Sequence, residues 1–200
     1  MASPPPVARQ VSAGIRTLLV LTVLLGLAYP LAMTSVAQLF FPEQADGSIV
    51  EVDGEAMGSE LVGQSFDGDQ AYFQSRPSAA GDGYDPLSTS ASNYGAENEA
   101  YVALVEERRA AVADFEGVPE DEVPPDAVQA SGSGLDPHIS TAYAELQVPR
   151  VASKRGLDED VVRGLVKAHT DGRGLGFLGA PGVNVLMLNI ALDRATEGAD

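Results

Sequence analysis

The chain has 200 residues, a formal net charge of −17 and no cysteine. The lack of thiols excludes a disulfide framework and thiolate metal sites. The negative surplus disfavours nucleic acid and anionic lipid headgroups as partners.

The charge is unevenly spread. Arg9 and Arg16 precede a long apolar run, and no acidic residue lies before Glu43. All 29 acidic residues follow, with 10 of the 12 basic ones, so that part of the chain carries −19. It attracts cations. The same acidity also serves solubility or life in salty surroundings.

Thr17–Pro42 holds 26 residues without a charge. As a helix it would reach about 39 Å, against roughly 30 Å of bilayer hydrocarbon. The segment is read as a retained transmembrane helix. A signal peptide with a small-x-small site at Ser35-Val36-Ala37 is the alternative, but the apolar run continues through Leu39-Phe40-Phe41. Pro30 removes one helical hydrogen bond and predicts a kink. Tyr29 suits an interface or packing position, and Gly26 and Ala28 would let another helix approach. Two arginines on the N-terminal side, and no basic residue after Pro42 until Arg76, place the N-terminus in the cytoplasm. The expected organisation is a cytoplasmic tail over 1–16, loose over 1–8 with Pro4-Pro5-Pro6, then the helix over 17–42 and an extracytoplasmic domain over 43–200.

About 160 residues after the apolar run suffice for one domain with its own core. Ile49–Val52 and Ser59–Val62 are predicted strands, with Gly54 and Gly58 at the turns between them, and Tyr72-Phe73 is a third candidate. Ser75–Asn93 is rich in Gly, Pro, Ser and Asp and reads as loop. A helix is predicted over 98–115, with Tyr101, Val105, Val112 and Phe115 on its apolar side and Leu104 and Ala111 beside them. Gly117 and Pro119 end it. Glu116–Asp126 reads as a solvated acidic excursion. Val128–Ala130 reads as a strand leading into Ser131-Gly-Ser-Gly134. Asp136 then caps a helix with Pro137 in its first position and Ile139, Ala142, Tyr143 and Leu146 inward. Val148-Pro149 interrupts that helix, and a short basic helix follows to Gly156. The next begins at Asp158 and turns Val161, Val162, Leu165 and Val166 inward. Glycines 172, 174, 176, 179 and 182 predict a flexible loop. Val183–Leu192 is read as a helix capped by Asn184, with a strand as the alternative. The fold class is α+β: one N-terminal transmembrane helix, then a small domain with short strands and three to four helices.

Ser131, Gly132, Ser133 and Gly134 between a strand and a helix start resemble a phosphate-binding turn. The lysine and spacing of a P-loop are missing, and Asp136 adds negative charge, so a tight structural connection is the preferred reading. His138 and His169 are the only histidines, and they lack acidic neighbours at ligand spacing, so no metal site is expected. His169 suits a helix C-terminus. Ser131, Asp136 and His138 stand too close in sequence for a nucleophilic triad, and no nucleophile elbow is present. Arg150, Lys154, Arg155, Arg163 and Lys167 sit on helices with helix-turn-helix spacing. The expected topology and surrounding acidity oppose DNA binding, leaving a helix pair with a basic face for a protein partner.

Many short stretches, in order, match one family. They are Gly26-Leu-Ala-Tyr-Pro30, Ala37-Gln-Leu-Phe-Phe-Pro42, Gly58-Ser-Glu-Leu61, Gly63-Gln-Ser-Phe66, Arg76-Pro-Ser78 and Ser92-Asn93 with Gly95. Ala130-Ser-Gly-Ser-Gly-Leu-Asp-Pro-His-Ile-Ser140 follows, then Gln147-Val-Pro-Arg150, Leu175-Gly-Phe-Leu-Gly179, Val183-Asn-Val-Leu186 and Leu188-Asn189. The chain resembles the C subunit, KdpC, of the Kdp potassium-transporting P-type ATPase. Gln74-Ser75 departs from the aromatic and glycine expected before Arg-Pro-Ser.

The resemblance implies an accessory subunit without chemistry of its own, needed for assembly and proposed for the family to raise the ATP affinity of the ATPase subunit. Its implied partners are a channel-like potassium-binding subunit, a P-type ATPase subunit and a small helical subunit, besides membrane lipid. ATP and potassium would be handled by those subunits, with no cofactor bound directly. No P-type phosphorylation motif or nucleotide loop is present in the chain, which suits the assembly role. A free-standing membrane-anchored binding protein or enzyme is the alternative.

Overall fold

A computed structural model describes residues 6–66, 68–95 and 97–198. The first five residues of the expected loose tail lie outside these; from Pro6 onward the chain is already helical. Two compact units form, Met1–Ile49 and Val50–Asp200.

The first unit is one long apolar rod. Helix α1 (Pro6–Val23), a π-turn (Leu24–Ala28) and helix α2 (Tyr29–Phe40) follow without a break, and none of their residues is buried. Together they are long and apolar enough to cross a membrane. Pro30 explains the π-turn: its ring crowds the carbonyl of Gly26, and the wider turn accommodates it. Tyr29 N reaches back five residues to Leu24 O. Phe41 leaves helical angles at φ −141°, and the single-turn helix α3 (Pro42–Ala45) follows.

The second unit is α+β. Strands β1 (Ile49–Val52) and β2 (Glu55–Ser59) form a two-stranded hairpin. Asp53 and Gly54 both have positive φ, 54° and 83°, the geometry of a tight two-residue turn. The second strand therefore starts four residues earlier than Ser59–Val62. Helix α4 (Glu99–Glu116) is capped by Asn98, whose side chain accepts from Tyr101 N, and ends at Gly117. Its buried residue is Ala113, with Val105 and Val112 packed beside the core, whereas Ala111 is exposed.

The acidic stretch after α4 is no solvated excursion. Two short 3₁₀ turns, Glu120–Glu122 and Pro125–Ala127, drive Val123 and Ala127 into the core. Val128–Ala130 forms no strand.

Strand β3 (His138–Ile139), helix α5 (Thr141–Arg155), helix α6 (Glu159–Ala168), strand β4 (Thr170–Asp171), strand β5 (Gly182–Asn184) and helix α7 (Val185–Glu197) complete the fold. The second sheet has the order β3-β5-β4, both pairs antiparallel, with His138 opposite Asn184 and Thr170 opposite Val183. The segment read as helix or strand is both: Asn184 ends β5, and its side chain accepts from Met187 N to cap α7. Helix α5 runs through Pro149 uninterrupted. Its face, with those of α6 and α7, supplies Tyr143, Val148, Val151, Val162, Val166, Leu188 and Leu192 to the core. Val161, expected inside, is exposed.

Candidate functional site

The most specific motif, Ala130–Ser140, is a clasped turn. Ser131 is buried, and its Oγ accepts from Gly134 N at 2.9 Å. Ser133 Oγ accepts from Leu135 N at 3.1 Å. Gly134 has φ +70°, and a Cβ there would stand 2.7 Å from both Ala80 N and Ser90 O. A side chain at this position meets backbone on two sides in a conformation that L residues resist. Gly132 lies in open space and lacks a positive φ, so only one glycine of the pair is conformationally required.

The loop predicted over Ser75–Asn93 is the other half of the clasp. Ser78 Oγ donates to Gly134 O at 2.7 Å and accepts from Ala80 N and Tyr84 N. Thr89 Oγ1 and Ser90 N both donate to Ser133 O, at 2.7 and 3.0 Å. From the other side Gly63 N donates to Leu135 O at 2.8 Å. Arg76 spans the join, donating to Gln129 O and to Asp136 Oδ2, the latter at 3.2 Å. Tyr84 Oη closes the loop on Arg76 O at 2.8 Å.

Asp136 is not a helix cap. Its Oδ1 accepts from His138 N at 3.0 Å and faces His138 Nδ1 at 3.2 Å. Pro137 O accepts from Val185 N, and His138 lies in β3, not in a helix. The helix cap is Ser140, whose Oγ accepts from Tyr143 N. Asp126 fixes that cap, accepting from Ser140 N and Oγ at 2.7 and 2.8 Å. The Gly-Ser turn thus opens onto a strand, away from any helix N-terminus, and two of its N–H groups are already bonded to serine oxygens. His138 Nε2 meets Asp171 Oδ2 at 3.0 Å, tying the turn to β4. Asp136 and His138 do come together, but Ser131 Oγ accepts from Gly134 N and takes no part in that pair. Among the described residues no group of three histidine or carboxylate side chains is placed to hold a metal ion. His169 Nδ1 donates to Leu165 O at the end of α6.

The inward use of a second set of polar residues escaped sequence reasoning. Tyr72-Phe73 is no strand, yet its backbone is fully engaged. Asn189 Oδ1 accepts from Phe73 N, and its Nδ2 donates to Phe73 O, at 2.9 and 3.0 Å. Gln147 does the same for Gln74, at 2.6 and 3.2 Å. Two side-chain amides imitate a neighbouring strand. Arg150 adds bonds to Gln70 O and Tyr72 O, and Arg155 one to Ala71 O. Arg150 also pairs with Glu116 at 2.8 Å, with 5% and 1% of the two side chains exposed. Burial pushes the Glu116 carboxyl above its ordinary range, against the lowering pull of Arg150. The basic face expected on α5 and α6 is reduced to Lys154 and Lys167, which remain exposed. Arg150 and Arg155 point inward, and Arg163 is neutralised by Glu145, Glu159 and Asp160. The available signal was the spacing of Gln147 and Arg150 on a helix face otherwise apolar.

The family model described as K+-transporting ATPase, c chain, matches residues 11–194. A potassium-transporting ATPase KdpC subunit from Kineococcus radiotolerans is 57% identical over 94% of this chain and 94% of its own. That from Mycobacterium bovis is 52% identical over 93% and 98%, and that from Koribacter versatilis 50% identical over 87% and 89%.

The chain belongs to the KdpC family.

The KdpC motifs sort into three structural kinds. Gly26 and Ala28 lie in the π-turn, with Tyr29 and Pro30 opening α2, all solvent-facing in the isolated chain. Arg76-Pro-Ser78 and Ala130–Ser140 bond to each other, whereas Gln147, Arg150 and Asn189 bond to the backbone of segment 70–74. Leu175–Gly179 stands at the far end of the β4–β5 hairpin, with Leu175, Phe177 and Leu178 exposed.

Proposed function

We propose that this chain is the accessory subunit of a high-affinity potassium-uptake ATPase, working by assembly and stabilisation, with no catalysis of its own. The observation that carries this reading is the inward use of the polar motif residues. Ser131, Ser133, Ser78, Arg76, Asp136 and Gln147 hold backbone and one another. Membership of the KdpC family supports the setting. The partners in this reading are the channel-like potassium-binding subunit, the P-type ATPase subunit and the small helical subunit, which handle potassium and ATP. The N-terminus is cytoplasmic and the acidic domain extracytoplasmic, by the arginine asymmetry. Gly26, Ala28, Tyr29 and Pro30 are packing positions for other membrane helices. Any rise in ATP affinity is then allosteric coupling through the membrane helix.

The test is to produce the other subunits with and without this chain. The reading expects an intact, potassium-stimulated ATPase only with it. Equal yield and activity without it would overturn the reading. Protease added to intact spheroplasts should digest residues beyond about 45; protection until the membrane is broken would reverse the orientation.

A further inference from the structure

The outer part of the β4–β5 hairpin has a defined shape, and its apolar side chains stand largely uncovered by the described residues. Its base is paired, Thr170 with Val183 and Asp171 with Gly182. Its neck is closed by two hydrogen bonds of 2.9 Å, Gly174 N to Leu178 O and Leu178 N to Gly174 O. Between them Leu175 and Gly176 take positive φ, 51° and 83°, the pattern of a tight hairpin turn. Glycine takes this region freely, but leucine enters it at a cost. The tip that results is apolar: Leu175 is 85% exposed, Phe177 69% and Leu178 53%. From Gly172 to Pro181 the only charge is Arg173. Behind the tip, His138 Nε2 holds Asp171, so the clasped turn braces the hairpin.

We propose that this tip is a docking knob, inserted into an apolar pocket on another protein subunit of the same potassium-transporting ATPase. The proposal rests on the accessory-subunit reading above, which makes the chain one subunit among several. A lipid surface fits less well, because the residues beyond Pro42 carry −19 and are repelled by anionic headgroups. A second copy of the chain fits less well for the same reason. The partner pocket is apolar, carries no cation beside Arg173, and takes one aromatic and two aliphatic side chains. A large apolar anchor seated in such a pocket carries a disproportionate share of binding energy. A turn already closed by its own hydrogen bonds loses little freedom on docking.

The experiment uses the full chain produced with the other pump subunits. One arm places a photo-crosslinking residue at Phe177. The other compares wild type with the double variant Leu175→Ser, Phe177→Ser by co-purification in mild detergent. The expected results are a crosslink to a pump subunit and retention of the double variant reduced on the order of tenfold. Phe177→Leu should recover most of it. A crosslink only to lipid, only to a second copy, or to nothing would overturn the proposal. So would equal retention of wild type and double variant. Failure of the wild type itself to co-purify would overturn the accessory-subunit reading instead. If the double variant does not fold, the crosslink on the native backbone decides.

Discussion

The clasped turn at 131–138 and the hairpin tip at 174–178 are both built around glycines and both closed by short hydrogen bonds, yet they face opposite ways. In the clasp the polar side chains end on the chain's own backbone: Ser78 on Gly134 O, Arg76 on Gln129 O, Ser131 on Gly134 N. At the tip the side chains end in solvent. The difference separates residues that make the fold from residues that the fold presents. A motif rich in serine, glycine, aspartate and histidine looks chemical in sequence and is architectural here. A motif of leucine, glycine and phenylalanine looks like core and is displayed.

The largest effects should come from breaking the inward set. Arg150→Met removes the partner of buried Glu116 and three bonds to segment 70–74 and Gln147, so it should cost about 3–5 kcal/mol in thermal or denaturant unfolding. Glu116→Gln should cost less, since an amide oxygen still accepts from Arg150. Its signature is in pH. The folded-state pKa of Glu116 is raised from 4.5 by burial, so its contribution to stability is greatest below that value and falls as pH rises toward the raised one. Unfolding midpoints of Glu116→Gln should lack this decline.

Next in size is the glycine pair. Gly134→Val should cost about 3 kcal/mol, from the positive φ and the approach of Ala80 and Ser90 backbone. Gly132→Val should change stability by about 0.5 kcal/mol or less. Equal losses would mean that the turn is held in some other way. At the tip the expectation inverts: Leu175→Ser with Phe177→Ser should leave the unfolding midpoint of the isolated chain almost unmoved, within about 0.5 kcal/mol. A large loss would show that the tip packs internally.

What the sequence made legible was local. Asn184 as a cap, Gly117 and Gly156 as helix ends, and the long apolar run each declare themselves within a few residues. What stayed hidden depended on distant partners. Asp136-Pro137 carries a good helix-start signal, but pairing with β5 draws His138-Ile139 into a strand and passes the cap to Ser140. Tyr72-Phe73 has strand composition, but its ladder is supplied by Asn189 and Gln147, far along the chain. Glu116 opens an acidic run and looks solvated until Arg150 is placed beside it. The clasp residues were visible as a motif, but their use was not, because Ser78 and Arg76 reach the turn across more than fifty residues.

The smallest effect concerns the acidity. Asp126 holds the cap of α5 and belongs to the inward set, so a test of cation attraction should spare it. Neutralising Asp82, Glu120, Asp121 and Glu122 should weaken apparent potassium affinity modestly at low salt. The change should vanish as salt shortens the screening length to roughly 10 Å at 0.1 M. Unchanged affinity at low salt would leave the charge to solubility or salt adaptation.

The most direct measurement is turnover per assembled complex. Complexes carrying Gly134→Val or Phe177→Ser are purified, the assembled fraction is quantified, and potassium-stimulated ATPase activity is measured on that fraction alone. An assembly subunit predicts less complex with normal turnover in what remains. Normal assembly with lost turnover would contradict it and return the Gly-Ser turn or the hairpin tip to the chemistry of the pump.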